Sequence, residues 1–201
     1  MIRTLDVLFS FLGLILLSPF FLLIAFFIKI SSSGPVLYNQ SRIGLNGAEF
    51  SVYKFRTMRM NSDKLGLITV GGRDPRITPI GYYLRKFKLD ELPQLINVFI
   101  GDMSLVGPRP EVKKYVDLYT QEQSKVLTIL PGITDWASIY YRDENVILGQ
   151  SSNPEKDYIE KVMPDKLTYN LIYIENYGPV EYFKIIFRTL WHIVVPIAKG
   201  I

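Results

Sequence analysis

The sequence predicts a small α+β domain that is mostly helical, contains one β-hairpin and carries an N-terminal membrane helix. Three observations lead to this fold class. An uncharged apolar run opens the chain, two segments of alternating polarity flank an Asn-Gly pair, and apolar residues recur at helical spacing through much of the rest. With 201 residues, of which 48% are hydrophobic, the chain can form one domain with a real core.

The apolar run from Val7 to Ile28 contains no charged residue. At about 1.5 Å per residue it is just long enough to cross a bilayer core of roughly 30 Å. Ser18 and Pro19 lie in its middle, where proline removes a helical hydrogen bond, so we expect a kink or break there. Arg3 and Lys29 flank the run, so little charge asymmetry orients a spanning helix. The residues are compatible both with a spanning helix and with a re-entrant helix that turns at Ser18-Pro19.

A β-hairpin is predicted after a short linker. Val36–Arg42 and Glu49–Arg56 alternate apolar and polar residues around Asn46-Gly47. Asn and Gly accept the positive φ angles of a tight turn, which favours a hairpin at this point. The following stretch, residues 61–79, is rich in Gly, Asp, Arg, Thr and Pro, and we predict a long mobile loop there.

Further helices are predicted from the spacing of apolar residues in the second half of the chain. They cover Val112–Leu130, Pro154–Asn176 and Val180–Ala198. The last is amphipathic, so it is expected to lie in a membrane interface or to pack on the core. Its polar stripe consists of Glu181, Lys184, Arg188 and His192. We assign no catalytic role to His192, the only histidine.

Two adjacent carboxylates, Asp90 and Glu91, lie in the most informative stretch of the sequence. Apolar residues at helical spacing follow them, which predicts that Asp90 caps a helix with Pro93 in its first turn. An acidic start is ordinary for a helix and carries no function by itself. Asp102, a little further along, is a spare candidate for metal binding or a structural role.

Cations surround this acidic pair. Nine basic residues and only two acidic ones lie between positions 54 and 88. Arg109 follows within the proline-dense segment Gly107–Glu111, which we predict to be a rigid extended turn. Such a block predicts an anionic ligand. Its positive charge should hold Asp90 or Glu91 ionised, able to act as a nucleophile or a metal ligand.

Several kinds of site are excluded by what the sequence lacks. There is no cysteine, which excludes disulfides and thiolate zinc sites. The sequence contains no P-loop, dinucleotide fingerprint, His-rich metal motif or Ser-His pairing. Catalysis is therefore expected to depend on carboxylates and cations.

Five motifs and the Ser18-Pro19 segment, in family order, make the chain resemble the monotopic phosphoglycosyl transferases of the bacterial sugar transferase family. The motifs are Lys54-Phe55-Arg56-Thr57-Met58, Leu89-Asp90-Glu91-Leu92-Pro93-Gln94, Gly101-Asp102-Met103-Ser104, Gly107-Pro108-Arg109-Pro110 and Pro131-Gly132-Ile133-Thr134. The resemblance implies transfer of a phosphosugar from a UDP-sugar to undecaprenyl phosphate, a polyprenol phosphate, with release of UMP and use of Mg²⁺. It also implies that Ser18-Pro19 breaks a re-entrant membrane helix.

The same resemblance implies roles for individual residues. Asp90 resembles the nucleophile that becomes a phosphosugar ester, and Glu91 resembles the Mg²⁺ ligand. Arg56, Arg85 and Arg109 match positions that bind phosphate or nucleotide. Fixed cations and a metal are what an anionic carboxylate needs in order to approach a charged diphosphate.

We add Lys54 and Arg142 as candidate substrate-binding residues. Many family members follow Pro-Gly-Ile-Thr with glycine, whereas Asp135 follows here. The segment from Asp135 to Glu144 is therefore expected to contribute to sugar recognition. A hexose, an N-acetylhexosamine and a diamino sugar all remain open as the donor sugar.

Two other classes of protein remain alternatives. A membrane-anchored module that binds anionic lipid or nucleic acid would explain the cations, but it gives no reason for Asp90 and Glu91 among them. An anchored Mg²⁺-dependent phosphodiester hydrolase would use the same carboxylates and metal, with water as acceptor.

The expected organisation is a re-entrant membrane helix over residues 1–30 and a catalytic domain over residues 31–201. We expect this domain to lie on the cytoplasmic face of the bacterial inner membrane, with no nucleic-acid partner. A homodimer is compatible with the sequence.

Overall fold

The structure is a computed structural model, which describes residues 1–62 and 74–194. The described part is a mostly helical α+β domain with one hairpin, as predicted. The helices are α1 (Ile2–Ser31), α2 (Pro79–Lys86), α3 (Gln94–Ile100), α4 (Lys113–Val116), α5 (Trp136–Tyr140), α6 (Glu144–Gly149), α7 (Pro154–Asp157), α8 (Met163–Glu175) and α9 (Pro179–Val194). The strands are β1 (Leu37–Ile43), β2 (Glu49–Phe55), β3 (Ser104–Val106) and β4 (Gly132–Thr134).

Helix α1 continues through Pro19 without the expected break. Proline leaves the carbonyl of Ile15 without its helical N–H partner, and the Ser18 hydroxyl donates to that carbonyl at 2.8 Å. This local replacement explains why helical geometry persists. By length and composition α1 is long and apolar enough to cross a membrane. Only 11% of its apolar stretch is buried inside the protein.

Both ends of α1 pack against the rest of the protein. Near its start, the Arg3 guanidinium donates to the carbonyls of Val98 at 2.6 Å and Phe99 at 2.9 Å, at the end of α3. Near its end, Ile24 and Ile28 are buried in a cluster with core residues of β2 and α2. The large apolar side chains of the middle of α1 are exposed, among them Leu12, Ile15 and Leu16.

A buried carboxylate fixes the first turns of α1. Asp6 is 1% exposed, and its Oδ1 accepts hydrogen bonds from the Ser104 hydroxyl at 3.1 Å, the Leu105 N–H at 2.9 Å and the Tyr182 hydroxyl at 2.8 Å. These donors belong to β3 and α9. Asp6 therefore joins the membrane helix to two elements that lie far from it in sequence.

The hairpin of β1 and β2 confirms the predicted pairing. The strands are antiparallel, with Leu37 opposite Phe55 and Ile43 opposite Glu49. Asn46 has φ 54° and Gly47 has φ 77°, so the two residues adopt the left-handed conformations expected of them. They form part of a single 3₁₀ turn rather than a two-residue loop.

A second, parallel pair of strands, β3 and β4, was not predicted. Ser104 lies opposite Gly132 and Val106 opposite Thr134. Backbone approaches so closely here that a side chain on Gly132 would collide with the backbone nitrogen of Gly107. The strands are too short for a period-two pattern to be visible in the sequence.

The helix predicted over Val112–Leu130 is wrong. The structure has only α4 and a 3₁₀ segment, Gln123–Thr128, separated by turns. Tyr115 and Val126 are buried, but the polar residues between them leave no continuous apolar face for a long helix to bury.

The two C-terminal helices are confirmed. A π-helical segment, Tyr158–Val162, joins α7 to α8, so helix extends from Pro154 to Glu175. Helix α9 buries Tyr182 and Ile185 and exposes an apolar surface that includes Phe187 and Trp191. The predicted end of this helix at Ala198 and much of the predicted loop (residues 63–73) lie outside the described residues, although Pro79, the last residue of that loop, begins α2.

The polar stripe of α9 turns partly inward. Glu181 accepts a hydrogen bond from the indole N–H of Trp136 at 2.7 Å. His192 lines a cavity in the domain, and its Nδ1 is buried without a partner among the described residues. Lys184 and Arg188 stay exposed, so the outer surface of α9 combines two cations with apolar side chains, as in helices that lie in a membrane interface.

Replacing Asp6 by alanine should destabilise the protein by about 2 kcal/mol or more, because three buried donors lose their acceptor. Asp6→Asn keeps one side-chain oxygen and should cost less. Chemical denaturation in detergent, followed by tryptophan fluorescence, measures the difference. Tyr182→Phe removes only one of the three bonds and serves as the intermediate case; equal stability of Asp6→Ala and wild type would contradict the assigned role.

Candidate active site

A cavity of about 830 Å³ lies between the hairpin, α2, the turn that follows it, the β3–β4 edge, α5 and α9. Its volume is in the range of pockets that enclose small-molecule and cofactor-sized ligands. All the predicted site residues line it: Lys54, Arg56, Arg85, Asp90, Glu91, Arg109 and Arg142. The fold thus brings together candidates from five separate segments of the chain.

The two carboxylates lie in a 3₁₀ turn, Leu89–Glu91, and not at the cap of an α-helix. Helix α3 begins at Gln94 with Pro93 before it, so the prediction that Asp90 is the helix cap is wrong. The turn has this form because Lys88 before it adopts a left-handed conformation (φ 57°), which separates the acidic pair from α2.

A buried asparagine fixes this region to the hairpin. Asn97 of α3 is fully buried; its amide donates to the Ser51 carbonyl at 2.7 Å and its Oδ1 accepts from the Tyr53 N–H at 3.0 Å. Sequence reasoning missed Asn97. A polar residue at a buried position of an otherwise apolar helix was the signal that could have found it.

Glu91 is held by two cations. Its carboxylate makes a two-point ion pair with the Arg109 guanidinium, with Nη1 donating to Oε2 at 3.1 Å, and Lys54 Nζ donates to Oε1 at 2.9 Å. Burial alone would raise the pKa of Glu91, but Arg109 and Lys54 outweigh it and hold that pKa well below its usual range. Glu91 is therefore ionised.

Asp90 is in a different state from its neighbour. It is 8% exposed and lines the cavity, and among the described residues its carboxylate makes no hydrogen bond or ion pair. Burial and the charge of Glu91 raise its pKa, while Lys54 and Arg85 oppose the increase. As pH falls, Asp90 takes up a proton before Glu91 does. Such a cavity-facing carboxylate is suited to nucleophilic attack.

The remaining cations are fixed by hydrogen bonds to protein. Arg56 donates to the carbonyls of Ser32, at 2.9 Å, and Ser33, which ties the end of α1 to the cavity wall. Arg85 Nε donates to the Thr57 hydroxyl at 2.9 Å. Arg142 donates to the carbonyl of His192 in α9. Positive charge in the cavity is thus positioned before any ligand binds.

The backbone of Arg109 is fixed by Asp135, a fully buried residue. One carboxylate oxygen of Asp135 accepts from the Arg109 N–H at 3.2 Å, and the other accepts from the Ser138 N–H at 2.6 Å as the cap of α5. Arg109 lies in backbone without regular secondary structure. Its positioning by Asp135 was not predicted, because the two residues meet only through the pairing of β3 with β4.

The donor set fits a magnesium ion bound together with substrate. Glu91 provides hard, anionic oxygen atoms at the cavity wall, and Mg²⁺ is commonly held by one or two carboxylates plus substrate phosphates. No cluster of three or more metal-ligating side chains occurs among the described residues. Asp102 does not line the cavity; it contacts Asn97 at 3.4 Å, which favours the structural role.

Comparison with known proteins identifies the family. The profile of the bacterial sugar transferase family matches residues 1–196. The chain belongs to this family. Its relatives include the UDP-N-acetylgalactosamine-undecaprenyl-phosphate N-acetylgalactosaminephosphotransferase of Aeromonas hydrophila, 35% identical over 94% of this chain and 42% of that protein.

Two further relatives show how these proteins vary. The UDP-glucose:undecaprenyl-phosphate glucose-1-phosphate transferase of Escherichia coli strain K12 is 37% identical over 94% of this chain and 39% of its own length. The exopolysaccharide production protein ExoY of Sinorhizobium fredii is 34% identical over 94% of this chain and 83% of its own. The chain therefore spans less than half of the first two relatives and most of the third.

Replacing Lys54 by methionine should raise the pKa of Asp90, because it removes a cation that favours the ionised form. Carboxyl ¹³C NMR of protein labelled at aspartate, titrated against pH, measures the change. Lys113→Met, at an exposed position of α4 that does not line the cavity, is the control and should leave the pKa of Asp90 unchanged. An unchanged or lower pKa of Asp90 in Lys54→Met would contradict the electrostatic assignment.

Proposed function

We propose that this protein is a phosphoglycosyl transferase that moves a sugar 1-phosphate from a UDP-sugar to a polyprenyl phosphate and releases UMP. The observation that carries the proposal is the state of Asp90. It is a cavity-facing carboxylate without a partner in the described structure, next to the cluster of Glu91, Arg109 and Lys54. The names of the relatives contain UDP-sugar and undecaprenyl phosphate, which supports this choice of donor and acceptor.

In the first step Asp90 attacks the phosphorus next to the sugar. A bond forms between an Asp90 oxygen and that phosphorus, and the bond to the UMP oxygen breaks. Arg85, Arg109 and Lys54 reduce the repulsion between the carboxylate and the diphosphate, since they line the same cavity. Glu91 would hold Mg²⁺, which when bound supplies further neutralisation of phosphate charge.

In the second step the acceptor displaces Asp90. An oxygen of the polyprenyl phosphate attacks the same phosphorus, the bond to Asp90 breaks, and the carboxylate is restored. The product is a lipid-linked diphosphosugar. The exposed apolar surfaces of α1 and α9 support attachment to a membrane, where a lipid acceptor lies. An anchored hydrolase would share these surfaces, so the identity of the product distinguishes a lipid acceptor from water.

We propose that Arg142 and the neighbouring Glu144 contact the donor sugar. Both line the cavity, and Glu144 is held by an ion pair with Lys166 at 2.7 Å. The names of the relatives include both glucose and N-acetylgalactosamine, so we leave the sugar unassigned. The homodimer that is compatible with the sequence stays a prediction.

We also propose that α1 does not span the membrane and that the domain lies on the cytoplasmic face of the inner membrane. A helix that crosses a bilayer has its ends on opposite sides. Here Arg3 contacts α3 and Ile28 packs with β2 and α2, so both ends of α1 contact one domain. The exposed apolar middle of α1, which stays helical through Ser18-Pro19, would then enter the membrane from one side and not cross it.

The covalent intermediate is tested by mass spectrometry. With UDP-sugar and Mg²⁺ but no lipid, the protein should gain the mass of one phosphosugar, and polyprenyl phosphate should discharge it. Asp90→Asn should give neither adduct nor turnover. Glu91→Gln should form the adduct slowly and need more Mg²⁺, since an amide is a poorer ligand for a hard cation.

Asp102→Asn is the matched control, because this carboxylate does not line the cavity. It should retain the adduct at Asp90. An adduct on Glu91 or Asp102, or turnover by Asp90→Asn, would overturn the assignment. Free sugar phosphate without lipid product would instead identify a hydrolase.

The topology is tested with single cysteines, which are unambiguous because the chain has none of its own. Thr4→Cys and Ser33→Cys lie at exposed positions near the two ends of α1 and should both react with impermeant maleimide only from the cytoplasmic side. Lys113→Cys shows on which side of the membrane the domain lies. Labelling of positions 4 and 33 from opposite sides would show that α1 spans the membrane.

A further inference from the structure

Three consecutive residues form an exposed rim where the cavity opens. Lys86, Phe87 and Lys88 all line the cavity and are exposed, Phe87 to 58%. The Lys86 ammonium lies 5.7 Å from the centre of the Phe87 ring. We call these three residues the rim. It combines positive charge with an apolar side chain at the entrance to the site.

Lys88 has an unusual backbone conformation. Its φ of 57° and ψ of 22° are left-handed, which a lysine adopts at some cost and which asparagine or glycine adopts readily. Strained conformations of this kind persist where the surrounding structure requires them, often at functional sites. Here the conformation places Lys88 two residues before Asp90.

Lys88 lines the same cavity as Asp90 but is not paired with it. Its charge opposes the rise in the pKa of Asp90 and contributes to the low pKa of Glu91. Among the described residues it makes no hydrogen bond or ion pair through its side chain. Lys54 and Arg109, by contrast, are already paired with Glu91. Lys88 is therefore a cation available to a second anion.

The rim adjoins the apolar surface formed by α1. Leu84 of α2 packs against Ile24 and Ile28, so the end of α2 lies beside the second half of α1. On that half of α1, the side chains of Leu22, Leu23 and Phe26 are exposed. Tyr83, in the last turn of α2, is 57% exposed on the same helix. A lipid in the membrane around α1 would thus meet the rim next to the cavity.

We propose that the rim is the entry point of the lipid acceptor: Lys88 binds the phosphate of polyprenyl phosphate, and Phe87 contacts its first isoprenyl units. The proposal rests on the proposed function. The chemistry is complementary, since a phosphate monoester carries more than one negative charge and its chain is apolar. Bound in this way, the phosphate is positioned for attack on the phosphorus held by Asp90, and its chain extends toward α1.

The test separates the two half-reactions. Lys88→Asn removes the charge and keeps a residue that accepts the left-handed backbone, so the turn that carries Asp90 is preserved. Adduct formation from UDP-sugar should stay within about threefold of wild type, because Lys88 is the weakest of the named cations acting on Asp90. The rate at which polyprenyl phosphate discharges the Asp90 adduct should fall about tenfold. This rate should also depend less on salt concentration, as expected when a charge at the edge of a site is removed.

Three variants support the comparison. Lys88→Arg keeps the charge and should discharge the adduct at nearly the wild-type rate. Phe87→Ser should slow discharge of the adduct by a polyprenyl phosphate but not by methyl phosphate, which has no isoprenyl unit. Lys113→Asn removes an exposed cation that does not line the cavity and should change neither half-reaction.

Two results would overturn the proposal. One is normal discharge in Lys88→Asn; the other is an equal loss in both half-reactions, which would assign Lys88 to the donor or to the turn. Binding of polyprenyl phosphate to protein in nanodiscs, measured without donor, gives a second readout and should weaken about tenfold in Lys88→Asn. If wild type forms no adduct, the proposed function fails, and the binding measurement still decides the role of Lys88.

Discussion

The ion cluster of Glu91, Arg109 and Lys54 is the interaction on which the site depends. It joins the turn after α2, the loop after β3 and strand β2, and its partly buried side chains line the cavity. Removing one partner would leave an uncompensated charge in this cavity wall. The cluster therefore holds these three segments side by side. It also leaves Asp90, the adjacent carboxylate, without a partner of its own among the described residues.

Polar groups likewise attach the apolar helix α1 to the domain. Asp6 accepts three hydrogen bonds from β3 and α9, and Arg56 donates to the carbonyls at the end of α1. Such bonds are directional, so they hold α1 in one orientation, whereas apolar contact alone would allow it to slide. The same Arg56 lines the cavity. The position of the membrane helix and the shape of the site are therefore connected through one side chain.

Local sequence patterns were sufficient for much of the fold. Asn46-Gly47 predicted the hairpin because positive φ angles are a property of those residues themselves, and the spacing in Pro154–Asn176 predicted a helix because its turns bury one face. They failed at two points. Val112–Leu130 lacks a continuous helix because polar residues interrupt its apolar face, and its apolar residues pack instead into a cluster with α8. Helix α1 continues through Pro19 because the hydroxyl of the adjacent Ser18 replaces the lost bond, which is a local effect.

The candidate site, too, could be predicted from the sequence only in part. An acidic pair among cations is visible in the sequence, and the seven residues predicted to be catalytic or substrate-binding line the cavity, whereas the spare candidate Asp102 does not. Only the tertiary structure decided that Arg109 and Lys54 pair with Glu91, since they lie 18 and 37 residues from Glu91 along the chain. It likewise decided that Asp90 has no hydrogen bond or ion pair among the described residues. It also decided that Asp135 fixes Arg109 and that Lys88 borders the opening. The sequence by itself determines which residue types are present, but the partners of a charged side chain depend on which distant segments the fold places beside it.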